Sequence, residues 1–124
     1  MHSFLNYDES LQLMEPPYAI TDEAGRRVIT LTRDAVDHPA LAADPATTCL
    51  EDSGTLAIAI NCAAILQANS LLIAWIIRVS QAASPRRVTL IGVSERQAVL
   101  FRRMRLDHIV DLATQLLQIN GEIH

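Results

Sequence analysis

From Thr55 to Ile77 the chain runs 23 residues without a charge. A stretch of that length can span a bilayer or pass through the middle of a folded core. Asn61, Gln67, Asn69 and Ser70 cluster around its centre, where polar groups are costly in hydrocarbon. Its first part, Thr55 to Asn61, has the small and β-branched make-up of a buried strand. No aromatic belt marks either end, and the single flanking base is Arg78. The run therefore predicts a strand, a polar break and a helix, with no direct membrane insertion.

The rest of the chain falls into place around that run. Residues 1–17 read as an N-terminal tail or short amphipathic helix closed by Pro16 and Pro17, and residues 18–124 as one domain. Residues 18–21 and 26–32 have strand composition, and between them Asp22 to Gly25 supply turn chemistry, with Gly25 free to take positive φ. Pro39 and Pro45 limit the next stretch to one or two short helices, the second ended by Gly54. Residues 63–68 form a second short extended piece. A helix runs from Ser70 to about Ala83, and residues 86–94 form another buried strand. Ser94 starts a further helix, with Gln97 placed for a reciprocal cap. That helix turns Val99, Phe101 and Met104 toward a core and leaves Arg96, Arg102, Arg103 and Arg105 on wetter sides. Residues 105–118 close the chain as a short strand or a helical end. Strands alternating with helices imply an α/β domain of two layers with crossover connections.

Composition narrows the function. Half of the 124 residues are hydrophobic, and aromatics make up 4%, so the core is expected to be aliphatic. Formal charge is −4 and no Lys is present, which argues against a general nucleic-acid binder. Residues 1–62 hold ten carboxylates and three Arg, whereas residues 63–124 hold four carboxylates and seven Arg. That asymmetry reads either as differently solvated faces or as a surface for an acidic partner or a phosphate. Cys49 and Cys62 lie in no metal or disulfide pattern, which suits a reduced, cytoplasmic protein. The N-terminus carries acid where a signal peptide needs base. No GxSxG, Gly-rich phosphate loop or HExxH occurs, and the four His have no metal spacing. His38 beside Asp34 or Asp37 reads as a solvated loop histidine. Ser70 as a nucleophile would need a base, and His108 is the sequence's one nearby candidate. No catalytic residue, metal or cofactor is assigned.

The polar break itself has two readings. Asn69 and Ser70 are both favoured helix caps, since their side-chain oxygens accept from the amides of the first turn. A hydroxyl at a helix start is also a place where phosphate is electrostatically tolerated. In the helix that follows, Leu72, Ile73, Ile76, Val79 and Ala83 make one inner face. Leu71, Trp75, Arg78 and Ala82 lie together on another. If exposed, Leu71, Trp75 and Arg78 would form a partner interface; otherwise the helix is buried all round.

With these elements in order, residues 18 to 112 resemble the STAS domain family of sulfate transporters and anti-sigma-factor antagonists. The family shows a strand ending in Asp-Leu, a Val-x-x-x-Asp-Ser-x-Gly-Leu stretch and an apolar helix. Across Ile58 to Ile77, Asn61 stands at the strand-ending Asp and Asn69 at the Asp of the Asp-Ser pair. Ser70 stands at the Ser, Leu72 at the Gly and Ile73 at the Leu. Val88 to Leu112 looks like the family's next strand, Gly-Val-Ser turn and last long helix. The resemblance implies a two-layer α/β domain, with a mixed sheet of about four to five strands and helices mainly on one face. It also implies a non-catalytic interaction module that binds through the Ser70 helix, with Ser70 as a phosphorylation switch and Asn69 as the cap. The implied partner is the ATPase of a phospholipid-transporting ABC system or an anti-sigma-type serine kinase, and a homodimer is a further form. The alternative is a nucleotide- or phospholipid-binding domain using the Arg-rich half, through Arg86, Arg87, Arg96 and Arg103.

Overall fold

A computed structural model describes residues 17–114, so the expected N-terminal tail or helix lies outside the described residues. Tyr18–Glu23 (β1) and Arg26–Leu31 (β2) form an antiparallel hairpin, with Glu23 opposite Arg26. Its turn residues, Ala24 and Gly25, have φ of 52° and 78°. Two successive positive φ values give the turn whose twist matches its strands.

Three 3₁₀ turns and a short helix link β2 to the next strand or precede the last one. Residues Ala35–Asp37 and Thr48–Leu50 are single 3₁₀ turns flanking Pro39–Ala43 (α1). Pro39 occupies the first helical turn, where its missing N–H costs nothing. Pro45 follows the capping residue Asp44. The prolines thus bracket a short helix, as expected. Gly54 does not end a helix; at φ 53° it lies in the turn leading into Ala57–Asn61 (β3). Ser70–Ala83 (α2), Val88–Val93 (β4), Glu95–Arg103 (α3), the 3₁₀ turn Leu106–His108 and Val110–Thr114 (β5) complete the described chain. The last segment is therefore a strand entered through a 3₁₀ turn.

The sheet has strand order β1-β2-β3-β4-β5, with β2 to β5 parallel. The right-handed rule for parallel crossovers puts the β2–β3, β3–β4 and β4–β5 connections on one face. That face presents Ile29, Leu31, Ile58, Ile60, Val88, Leu90 and Val110, each at most 2% exposed. Leu72, Trp75, Ile76 and Val79 of α2 and Ala98 and Phe101 of α3 join them in one core. The domain is two-layered α/β, and its core is aliphatic apart from a few aromatics. No described helix is long and apolar enough to cross a membrane.

Two local expectations change. Residues 63–68 are not a strand. After Cys62 N–H bonds the Ile91 carbonyl at 2.8 Å, the Asn61 Oδ1 accepts from Ala63 N–H at 3.0 Å and turns the chain out of the sheet. Val99 in α3 and Met104 just past its end are 46% and 52% exposed. The helical repeat puts Gln97, Ala98 and Phe101 inward and Val99 on the side of Arg96 and Arg103.

Candidate functional site

The polar break is a loop pinned at both ends. At its start, the Asn61 turn packs against Gly92, whose φ is 70°. A Cβ at Gly92 would fall 2.9 Å from Ala63 Cβ, Ala63 N and Asn61 Oδ1. Only glycine fits that conformation and that gap. Midway, Ile65 drops into the core at 5% exposure while its neighbour Leu66 stands 67% exposed. Its carbonyl accepts from Gln97 Nε2 at 2.7 Å, which ties the loop to α3. The expected reciprocal cap is therefore half formed. Gln97 N–H does bond Ser94 Oγ at 3.1 Å, but the Gln97 side chain goes to Ile65 instead.

At the loop's far end Asn69 performs two tasks. Its Oδ1 accepts from Leu72 N–H at 3.0 Å, capping α2. Its Nδ2 donates to the Val36 carbonyl at 2.9 Å, fixing the 3₁₀ turn beneath. A carboxylate could cap but could not donate. This gives a structural reason for Asn where the resembling family has Asp. Ser70 follows as the first residue of the helix; it is exposed and is not the capping acceptor. Leu71 beside it is 46% exposed. Ser70 and Leu71 are therefore exposed together at the start of α2, after the exposed Leu66 in the loop.

Trp75 does not belong to that surface, contrary to the expectation. It is 0% exposed. Its Nε1 donates to Asp44 Oδ2 at 2.7 Å, and its ring lies 5.7 Å from that of Tyr18. Tyr18 OH donates to the same Asp44 oxygen at 3.3 Å. Burial, followed by the Asp44 charge, raises the Tyr18 phenol well above its usual range. Arg78 is also a structural residue: it is half-buried and donates from Nη2 to the Leu41 carbonyl at 3.1 Å. The segment from Ala35 to Leu50 covers this flank of α2, burying what the helix period alone presents as a second open face. Leu71 and Ala82, at the two ends of that face, stay exposed.

The four arginines of the ligand-binding alternative do not converge. Arg86 donates to Ser53 Oγ at 3.1 Å and to the carbonyls of Leu56 and Ala83 at 3.0 and 3.4 Å. Arg87 pairs with Asp111 at 2.7 Å and donates to the carbonyls of Asp107, His108 and Val110. Both hold β4 to its neighbours. Arg96 and Arg103 lie exposed on α3, with no ion-pair partner among the described residues.

The remaining polar candidates are also accounted for. His38 Nδ1 accepts from Ala40 N–H and caps α1. Asp34 accepts from Thr32 Oγ1 at 2.8 Å, which with its own backbone bond holds its carboxyl below the usual range. His108 lies by Ser80 and Ser84, near the far end of α2 from Ser70, so it is no base for that hydroxyl. Among the described residues no group of three His, Cys, Asp or Glu could hold a metal. Cys49 and Cys62 are buried, unpaired thiols; burial pushes Cys62 up to about 12. Neither is a nucleophile near neutral pH.

Sequence reasoning missed Gly92 and Leu66. A lone glycine inside a strand is a signal for close backbone approach. Leu66 gives no signal, because only the fold separates its exposure from the burial of Ile65. No family model matches the chain, and no curated protein matches it.

Proposed function

We propose that this chain is a STAS-type protein-interaction module, non-catalytic and cofactor-free, whose contact surface is the start of α2 with the loop before it. The observation that carries the reading is the division of labour at Asn69 and Ser70. Asn69 makes the cap by itself, which leaves the Ser70 hydroxyl exposed next to the exposed Leu71. An exposed leucine beside a hydroxyl that makes no hydrogen bond among the described residues supports a regulated contact. Phosphate on Ser70 would add about −1.5 to −2 charge. The helix N-terminus tolerates that charge, while an apolar or acidic partner surface does not. Partner class follows from the family resemblance: the ATPase of an ABC transporter or an anti-sigma-type serine kinase. The nucleotide or phospholipid reading has less support, since Arg86 and Arg87 are spent on internal carbonyls.

The test uses Ser70→Asp and Leu71→Glu, both at exposed positions. Each is expected to unfold within about 0.5 kcal/mol of wild type. Each is expected to bind the ATPase or kinase encoded nearest its gene at least about tenfold more weakly, a difference of ~1.4 kcal/mol. Equal binding by both variants refutes the reading.

A further inference from the structure

We infer that the groove between the β3–α2 loop and α3 docks an acidic amphipathic helix of a partner protein. This rests on the reading of the chain as an interaction module and specifies the chemistry of its partner. The groove has a volume of about 490 Å³ and is lined by Leu66, Arg96, Gln97, Val99, Leu100 and Arg103, among others. Its apolar walls are Leu66, 67% exposed, facing Val99, 46% exposed. Arg96 and Arg103 flank it, both exposed and without an ion-pair partner among the described residues. No carboxylate lines it. Gln97, 4% exposed, forms part of its floor.

Charge and spacing select the occupant. Seven residues along a helix separate Arg96 from Arg103, which is about 10 Å, or two turns. A partner helix lying along α3 with carboxylates seven residues apart meets both arginines. Its intervening turns then offer three or four inward side chains to Val99 and Leu66. An extended peptide covers the same ~10 Å in about three residues and turns only one or two side chains inward, too few for a groove of this size. Unpaired arginines at both ends steer an acidic helix and repel a basic one.

A display library of five-turn helices, with one face randomised, tests this on the full chain. Selection on wild type is expected to enrich Asp or Glu at two positions seven apart around apolar residues. Selection on the Arg96→Glu/Arg103→Glu double variant is expected to replace them with Lys or Arg. Selected acidic helices should bind that variant at least tenfold more weakly. A pool with no acidic preference, a pool indifferent to the double variant, or no enrichment at all overturns the inference. So does binding of phosphatidylglycerol vesicles through these arginines with no helix selected. Helices or partners that lose binding to Leu71→Glu but not to the arginine variant remove the groove and leave the interaction module standing. If nothing depends on either surface, both readings fall.

Discussion

Replacing Asn69 with Asp restores the acid of the family pattern, and the structure gives the outcome. At pH 7 the introduced carboxylate still accepts from Leu72 N–H. Its charge at a helix N-terminus gains about 0.3–1 kcal/mol. It cannot donate to the Val36 carbonyl, now 2.9 Å from Asn69 Nδ2. Losing that bond costs about 1 kcal/mol, and leaving the part-buried carbonyl unpaired raises the figure to about 1–3 kcal/mol. A charged oxygen facing that carbonyl adds repulsion. The net expectation is destabilisation by about 1 kcal/mol, or roughly 4 °C in Tm for a domain of this size. Asn69→Ala loses both cap and bond and should fall by about 2 kcal/mol. Urea unfolding followed by fluorescence of the single Trp measures each. An Asp variant as stable as wild type at pH 7 refutes the account of Asn69.

Three more expectations concern the supporting structure. Gly92→Ala combines a positive φ, about 1–2 kcal/mol, with overpacking against Ala63 and Asn61, about 1–3 kcal/mol; denaturant midpoints should drop accordingly, and a drop below about 1 kcal/mol rejects the close approach. Trp75 emission should be blue-shifted and poorly quenched by acrylamide, because the ring is 0% exposed. Trp75→Phe should lose about 1.5–3 kcal/mol through the Asp44 bond, whereas ready quenching would return Trp75 to the surface. Cys62, held protonated up to about 12 from an ordinary 9.0, binds its proton more tightly folded than unfolded. Its contribution is complete below pH 9 and declines by about 1.4 kcal/mol per pH unit above it; a Cys62→Ala variant with the same alkaline slope would exclude this thiol as the cause.

The fold was legible where periodicity has one solution. Ile29, Ile58, Ile60, Val88 and Leu90 sit in short apolar runs separated by turn residues, and such runs can only be buried strands between crossovers. Ser70 to Ala83 was equally plain, since Asn69 marks its start and Ser84-Pro85 its end. What failed was the assignment of faces. Trp75 and Arg78 lie on a helix flank that the 3.6-residue period leaves open, and only the path of residues 35–50 closes it. Val99 and Met104 look like core residues in composition, yet the inward direction of α3 is set by Phe101 and by the bond from Gln97 to Ile65. Residues 63–68 were apolar enough for a strand, but one asparagine side chain turns them away from the sheet. For the two helices a long-range contact decided between local alternatives of similar merit, and for residues 63–68 a local side-chain bond did.

Moving Trp75 inside changes what binding can rest on. What is left to a partner is Ser70 and Leu71 at the start of α2, and the groove where Leu66 and Val99 lie with two arginines. That is a small apolar surface without a large aromatic anchor. Rigidity offsets part of the deficit. The loop is held by the Asn61 turn under Gly92, by Ile65 in the core, by Gln97 at the Ile65 carbonyl and by Asn69 at the Val36 carbonyl. Ordering it on binding therefore costs little, and the ordering cost is what most weakens contacts made by loops. A pre-formed apolar corner of this size still gains specificity chiefly from charge at its rim. The arginines of α3, without an ion-pair partner among the described residues, supply one sign, and a phosphate on Ser70 would introduce the other beside Leu71. Ser70 follows the groove-lining Ala68 by two residues, so a phosphate there would weaken an acidic helix in the groove by repulsion across the loop, without any change in the fold.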